Sequence, residues 1–189
     1  MAEVGALSRA LAQVVRFFED AGIPYMVFGA VANLVWGEPR TTQDIDVKIS
    51  VAAEEIPGLI AAASRAFRIR ASCPDEFVTQ TRVLPLETHD GVPVDVVLAG
   101  LPYEEQALQR AVTRDIADVA IRVATAEDLI VHKLVSERAR DREDVAGVIR
   151  RQRRTIDRGY LDPLVRDIAQ MLDDPSIWEW YRSQVEAHC

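Results

Sequence analysis

The stretch from Tyr25 to Ile49, YMVFGAVANLVWGEPRTTQDIDVKI, carries the pattern on which the fold turns. Tyr25-Met26-Val27-Phe28 is short, apolar and β-prone, and it ends at Gly29, from which Ala30 to Trp36 reads as a short buried helix. Glu38-Pro39-Arg40 breaks that helix. Asp44-Ile45-Asp46-Val47-Lys48-Ile49 then alternates polar and apolar residues, the mark of a strand with one wet and one buried face. The local order is strand, glycine, helix, strand.

Upstream, Leu7, Leu11, Val14, Val15 and Phe18 recur at helical spacing, with Ser8 or a neighbour as the cap and Gly22 as the stop. Downstream, Glu54 to Phe67 reads as a helix that tolerates Pro57 only in its first turn, and Phe67 to Ala71 and Thr79 to Leu86 read as strands. His89-Asp90-Gly91 is a hairpin-type turn into the strand Val92 to Leu98, where Pro93 marks a sheet edge or a strand start and Asp95 is the one acid in an apolar run. Val119 to Val123 is a further strand. Thr125-Ala126-Glu127-Asp128 resembles a capping box opening a helix from Ala126 to Glu137. Arg142 to Arg151, Tyr160 to Leu172 and Pro175 to Glu186 are amphipathic helices, the last with Asp174 as its cap. This order predicts an α+β fold: an α/β core over residues 1–124, and a C-terminal helical region over residues 125–189 packed on it.

With 22 Lys and Arg against 30 Asp and Glu in 189 residues, the chain carries a net charge of −8, and 49% apolar content supports a packed core. No apolar run approaches the ~20 residues of a membrane span, and the start Met1-Ala2-Glu3 lacks a basic leader region. The two cysteines, Cys73 and Cys189, suggest no disulfide framework, so a cytoplasmic setting is expected. The acidity excludes a cationic coat over the whole surface; a nucleic-acid partner must be met by a local patch. Lys133 to Arg158 holds nine cations against five acids, a net of +4, which leaves −12 for the rest. Either this segment presents a basic ridge to an RNA backbone, or its arginines pair with acids elsewhere.

Residues two apart in a strand share a face about 6.7 Å apart, so Asp44 and Asp46 project into one solvent pocket, and Asp95 on another strand could complete a triad. Each pair of like charges at about 5 Å costs about 3 kcal/mol at an effective dielectric of about 20, so a cation must offset them. Hard oxygen donors of this kind suit Mg²⁺. Read alone, Asp-x-Asp is equally the solvated face of a strand in an acidic chain. Gly29 permits a phosphate to approach backbone N–H groups at a helix start, or is an ordinary tight turn.

Val27-Phe28-Gly29-Ala30-Val31-Ala32, Arg40 to Val47 and Val94-Asp95-Val96 together resemble the nucleotidyltransferase superfamily of polymerase-β type, in its small bacterial members. Glu127-Asp128-Leu129, Lys133-Leu134 and Arg140 to Asp144 resemble the later motifs of its AbiEii-type toxin group. The resemblance implies a mixed β-sheet flanked by helices and transfer of NMP from an NTP such as ATP to an acceptor hydroxyl, with Mg²⁺ or Mn²⁺ as the cofactor. It implies Asp44, Asp46 and Asp95 as metal ligands and catalytic residues, with Asp95 also helping to deprotonate the acceptor. Gly29, Ala30, Arg40, Thr42 and Lys133 would bind nucleotide, and Asp141 or Asp144 would orient an incoming group or pair with Arg140. For partners, it implies RNA as acceptor and an antitoxin. Ala30 stands where many members carry glycine or serine, so a serine contact to the triphosphate is absent and backbone donors remain.

Other readings stay open at this level. Small aminoglycoside and lincosamide nucleotidyltransferases share the Gly and Asp-x-Asp plan, and cationic small molecules suit an acidic cleft. A catalytically lapsed nucleotide-binding or interaction module fits Ala30. Lys133, with Lys48 one of only two lysines in the chain, is equally a helix-face side chain, and Arg140 to Asp144 equally a salt-bridged helix start. His89, His132 and His188 have no metal-ligand spacing with the cysteines, and no Gly-x-Ser-x-Gly elbow or Gly-Lys-Ser/Thr phosphate loop occurs.

Overall fold

The computed structural model describes residues 2–136 and 138–188; Met1, Glu137 and Cys189, and with them the expected helix end at Glu137 and the second cysteine, lie outside the described residues. The chain divides into two compact units, one taking in the chain up to Val31 with Thr41–Val123, the other Ala32–Arg40 with the chain from Ala124 onward.

The first unit is built on a seven-stranded mixed sheet. Its strands are β1 (Tyr25–Phe28), β2 (Ile45–Ile49), β3 (Arg68–Ile69), β4 (Val83–Glu87), β5 (Pro93–Leu98), β6 (Val112–Ile116) and β7 (Val119–Val123), in the order β3-β4-β5-β2-β1-β7-β6. β1 runs antiparallel to β2, and β2 parallel to β5. Ile45, Val47, Leu84, Leu86, Val94 and Val96 are all wholly buried on one face, because residues of one parity point the same way across registered strands. Helices α1 (Ala2–Asp20), α3 (Ile56–Ala66), α4 (Pro74–Thr81) and α5 (Pro102–Arg110) belong to this unit, and α2 (Gly29–Trp36) runs from it into the second.

The second unit contains α6 (Ala126–Leu134), α7 (Ala139–Gln152), α8 (Arg158–Met171) and α9 (Pro175–His188). Leu129, Ile130, Val145, Val148, Ile149, Leu161, Val165 and Tyr181 form its core. Thr125 caps α6 by accepting the Asp128 N–H at 3.2 Å, and the Tyr181 hydroxyl is buried and donates to Asp162 at 2.7 Å. No helix among the described residues is long and apolar enough to cross a membrane.

Several local expectations are corrected. Ser8 does not cap α1: the helix starts at Ala2, and the Ser8 hydroxyl instead donates to the Ala117 carbonyl at 2.7 Å. Thr79 to Thr81, expected as strand, closes helix α4, which Pro74 at its first position and Asp75 and Glu76 in its first turn start, and which Arg82 ends in the left-handed region at φ 58°. Of the two readings of Pro93 the strand start holds, since Pro93 opens β5, and the edge does not, since β5 lies between β4 and β2. α5 and β6 carry no sequence expectation; β6 is exposed at Thr113, Arg114 and Asp115 and shows no alternation.

Candidate functional site

Strand register assembles the acidic residues of the first unit. Asp46 stands opposite Phe28 on β1 and opposite Asp95 on β5, so both aspartates occupy one row and one face of the sheet. β2 begins at Ile45, which leaves Asp44 just ahead of it, where the Thr42 hydroxyl donates to the Asp44 carboxylate at 2.9 Å. Gly29 opens α2 with φ +60°, a conformation that L side chains rarely adopt. A Cβ built there would come within 2.8 Å of Asp46 Cγ and nearer still to its Oδ2, so the Asp46 carboxylate fills the space that glycine leaves open.

Asp95 feels opposing fields. Burial raises its pKa, the nearby Arg70 guanidinium lowers it, and the Asp44 carboxylate pushes it up, leaving it above the usual range. Among the described residues, no three His, Cys, Asp or Glu side chains are gathered closely enough to chelate an ion by themselves. The arrangement still fits Mg²⁺, which is held through one or two carboxylates together with substrate phosphates more often than in an all-protein cage; Asp46 and Asp95 provide the hard oxygens.

Deeper on the same face of β2 lies Lys48, buried and bonded to Glu104 of α5. Burial works against both charges. Even so, Lys48 and the N–H groups of Gly100 (2.7 Å) and Leu101 (3.0 Å) hold the Glu104 carboxyl below its ordinary pKa. The clefts in this unit include two of different size. The larger, about 690 Å³, is lined by Arg9, Arg16, Phe17 and His89 among others, and Asp44, Asp46 and Asp95 are not part of its lining. The one bearing on the site, about 380 Å³, is lined by Thr41, Thr42, Gln43, Gly91 and Pro93, next to the starts of β2 and β5.

In the second unit the Lys133 ammonium is buried and donates to Asp141 at 2.8 Å and to Asp144 at 2.6 Å. Arg138 closes on Asp141 at 2.7 Å and Arg40 on Asp144 at 3.0 Å. Asn33 also donates to Asp144, at 3.3 Å. Both carboxyls are pulled below their ordinary pKa by these cations against the opposing effect of burial. Arg140, expected as their partner, is exposed instead. Of the arginines read as a ridge, Arg150 pairs with Glu38 at 2.9 Å, Arg151 donates to the Gly37 carbonyl and Arg142 stacks 4.7 Å above Trp180.

Glu104 and Arg70 escaped the sequence reading, as did the burial of Lys48. Glu104 and Lys48 are 56 positions apart, and the only available signal was the scarcity of lysine: both lysines are buried in ion clusters. Arg70 reaches the Asp95 row only through the pairing of β3 with β4.

A family described as nucleotidyltransferase of unknown function (DUF6036) matches residues 6–184. No curated protein sequence matches the chain. Among solved structures, the antibiotic-resistance factor ANT(2'')-Ia in solution is similar at 14% identity and TM-score 0.57, over 91% of this chain and 94% of that one. ANT(2'')-Ia in complex with adenylyl-2''-tobramycin is similar at 14% identity and TM-score 0.53, over 94% and 98%. An antigenic nucleotidyltransferase-like protein from Paracoccidioides brasiliensis matches at 16% identity and TM-score 0.55, over 93% of each chain. At these identities the likeness is one of fold.

Proposed function

The chain belongs to the DUF6036 nucleotidyltransferase family, and from that premise we propose that it transfers NMP from an NTP to an acceptor hydroxyl, with a divalent metal ion held by Asp46 and Asp95 together with the substrate phosphates and with Asp44 beside them. The observation that carries this reading is the pairing of Asp46 with Asp95 on adjacent parallel strands, with Gly29 packed against the Asp46 carboxylate. Mg²⁺, when bound, would neutralise phosphate charge and ease loss of the acceptor proton.

The residues of the chain divide the remaining work. Gly29 lets the triphosphate approach the N–H groups at the start of α2, where the helix dipole favours an anion. Asp95 accepts the proton of the acceptor hydroxyl. The acceptor oxygen bonds to the α-phosphorus, the bond from that phosphorus to the bridging oxygen breaks, and pyrophosphate leaves with the electron pair. Lys48 and Glu104 hold β2 to α5 and so fix the strand that bears Asp46.

For the acceptor we favour RNA, on the resemblance of Lys133 and Arg140 to Asp144 to the toxin group. The second reading, a cationic antibiotic, is favoured by the net −12 outside Lys133 to Arg158. Incubation with α-labelled NTPs, a set of RNAs and a set of aminoglycosides and lincosamides separates them: label on RNA that requires Asp95 supports the first, label on a small molecule the second. NTP binding without transfer to either would mark a lapsed enzyme.

A further inference from the structure

Arg70 continues the row of the two paired aspartates. Its N–H donates to the Pro85 carbonyl at 2.8 Å, Pro85 stands opposite Asp95, and Asp95 opposite Asp46. Alternation along β3 puts Arg68 and Arg70 on one side, and Arg68 lies across from Glu87, which shares its face with Pro85 and therefore with Asp95. The two arginines differ in how they are used. Arg68 is closed on Glu87, with Nε 2.8 Å from Oε1, whereas Arg70 is exposed and, among the described residues, donates no side-chain hydrogen bond and closes no salt bridge. Its guanidinium nonetheless lies close enough to lower the pKa of both Glu87 and Asp95. At about 4.8 Å between strands, the Arg70 and Asp95 backbones are about 10 Å apart with only the low ring of Pro85 between them, so a molecule can lie across Pro85 and touch both side chains.

We propose that Arg70 is a specificity residue of the acceptor side, holding a phosphate group of the acceptor while the hydroxyl to be modified lies at Asp95. The inference rests on the nucleotidyltransferase reading and narrows the acceptor to a phosphorylated one. A guanidinium with free donors on a solvent-facing row is the side chain best matched to a phosphate, which it engages through paired, charge-assisted hydrogen bonds. The phosphate on Arg70 takes no part in the bond changes; its binding fixes which hydroxyl of the acceptor meets Asp95. The same cation repels an aminoglycoside, so the row selects against the cationic acceptors that the acidic remainder of the chain attracts.

The test uses the full chain with Mg²⁺ and a non-hydrolysable ATP analogue, titrated with ribose 5-phosphate, with ribose and with the dinucleoside monophosphate CpA. Ribose 5-phosphate is expected to bind about tenfold or more tightly than ribose, the increment of one charge-assisted pair. Arg70→Gln should erase that preference, Arg70→Lys should keep part of it, and neither should alter affinity for the analogue. A stronger Arg70-dependent gain for CpA identifies a nucleic-acid phosphate; a gain confined to ribose 5-phosphate identifies a small phosphorylated acceptor. No preference in the wild type, or a preference that survives Arg70→Gln, overturns the proposal, as does an Arg70→Gln variant altered only in its pH profile. If the analogue fails to bind the wild type, the nucleotidyltransferase reading falls and this inference with it; a bound analogue without phosphate preference overturns this inference alone.

Discussion

Replacing Gly29 by alanine perturbs the backbone and the site at one atom. Gly29 sits at φ +60°, and the left-handed region costs an L residue about 1–2 kcal/mol. The new methyl would also lie 2.8 Å from Asp46 Cγ and 3.1 Å from its Cβ, so the carboxylate must swing out of the space or the start of α2 must shift. Overpacking of this kind costs about 1–3 kcal/mol, and the lower entropy of the unfolded alanine chain offsets at most about 0.4–1 kcal/mol of the sum. The net expectation is a loss of about 2–4 kcal/mol, a fall in Tm of roughly 5–15 °C for a chain of this size. Gly22→Ala is the control. It has the same left-handed backbone, φ +64°, but nothing lies within 4 Å of a Cβ there, so it should lose only the backbone part and keep full nucleotide affinity. Urea melts of both variants, with calorimetric titration of Mg²⁺ and NTP, measure both quantities. A Gly29→Ala protein with wild-type stability and nucleotide affinity would refute the placement of Asp46 against Gly29.

Lys133→Met leaves the buried Asp141 and Asp144 without their shared ammonium and should cost about 3–5 kcal/mol in urea unfolding; a loss under 1 kcal/mol would show that Arg40 and Arg138 suffice. Glu104, Asp141 and Asp144 all have folded-state pKa values below the ordinary carboxylate range, so the unfolded chain takes up protons first as pH falls. Their stabilisation should be complete above about pH 5 and drain away as pH drops through the folded values, so stability that rises on acidification from pH 5 to 3 would contradict these pairings. Replacing Arg150, Arg151, Arg153 and Arg154 together by glutamine should flatten the salt dependence of RNA binding if they meet a backbone, by about 0.7 in log–log slope per lost phosphate contact. An unchanged slope would leave these arginines to pairings such as Arg150 with Glu38.

The strand, glycine, helix, strand order of residues 25–49 was legible because each element announces itself within a few residues: an apolar run, a glycine, a proline break, an alternation. The helices of the second unit were legible for the same reason, through amphipathic spacing and the Thr125 cap. Thr79 to Thr81 misled because β-branched threonines favour strands, while Pro74 and the acids behind it had already started a helix. Pro102–Arg110 escaped notice because this helix buries only Glu104, Ala107 and Leu108. The aspartates could be named from sequence, but their pairing could not, since Asp46 and Asp95 meet only through the parallel alignment of β2 with β5. Arg70 was invisible for a like reason: its neighbours are set by two successive registers, and no local pattern encodes them.

Pyrophosphate release measured with each of the four NTPs and Mg²⁺ or Mn²⁺, for the wild type, Asp46→Asn and Asp95→Asn, tests the central claim most directly. The wild type should release pyrophosphate in the presence of its acceptor, with full loss on chelation. Asp46→Asn should lose both release and the thermal stabilisation that Mg²⁺ with NTP confers, whereas Asp95→Asn should lose release and keep part of the nucleotide affinity. Release that persists at the wild-type rate in either variant would contradict the assignment of the paired aspartates as the catalytic centre.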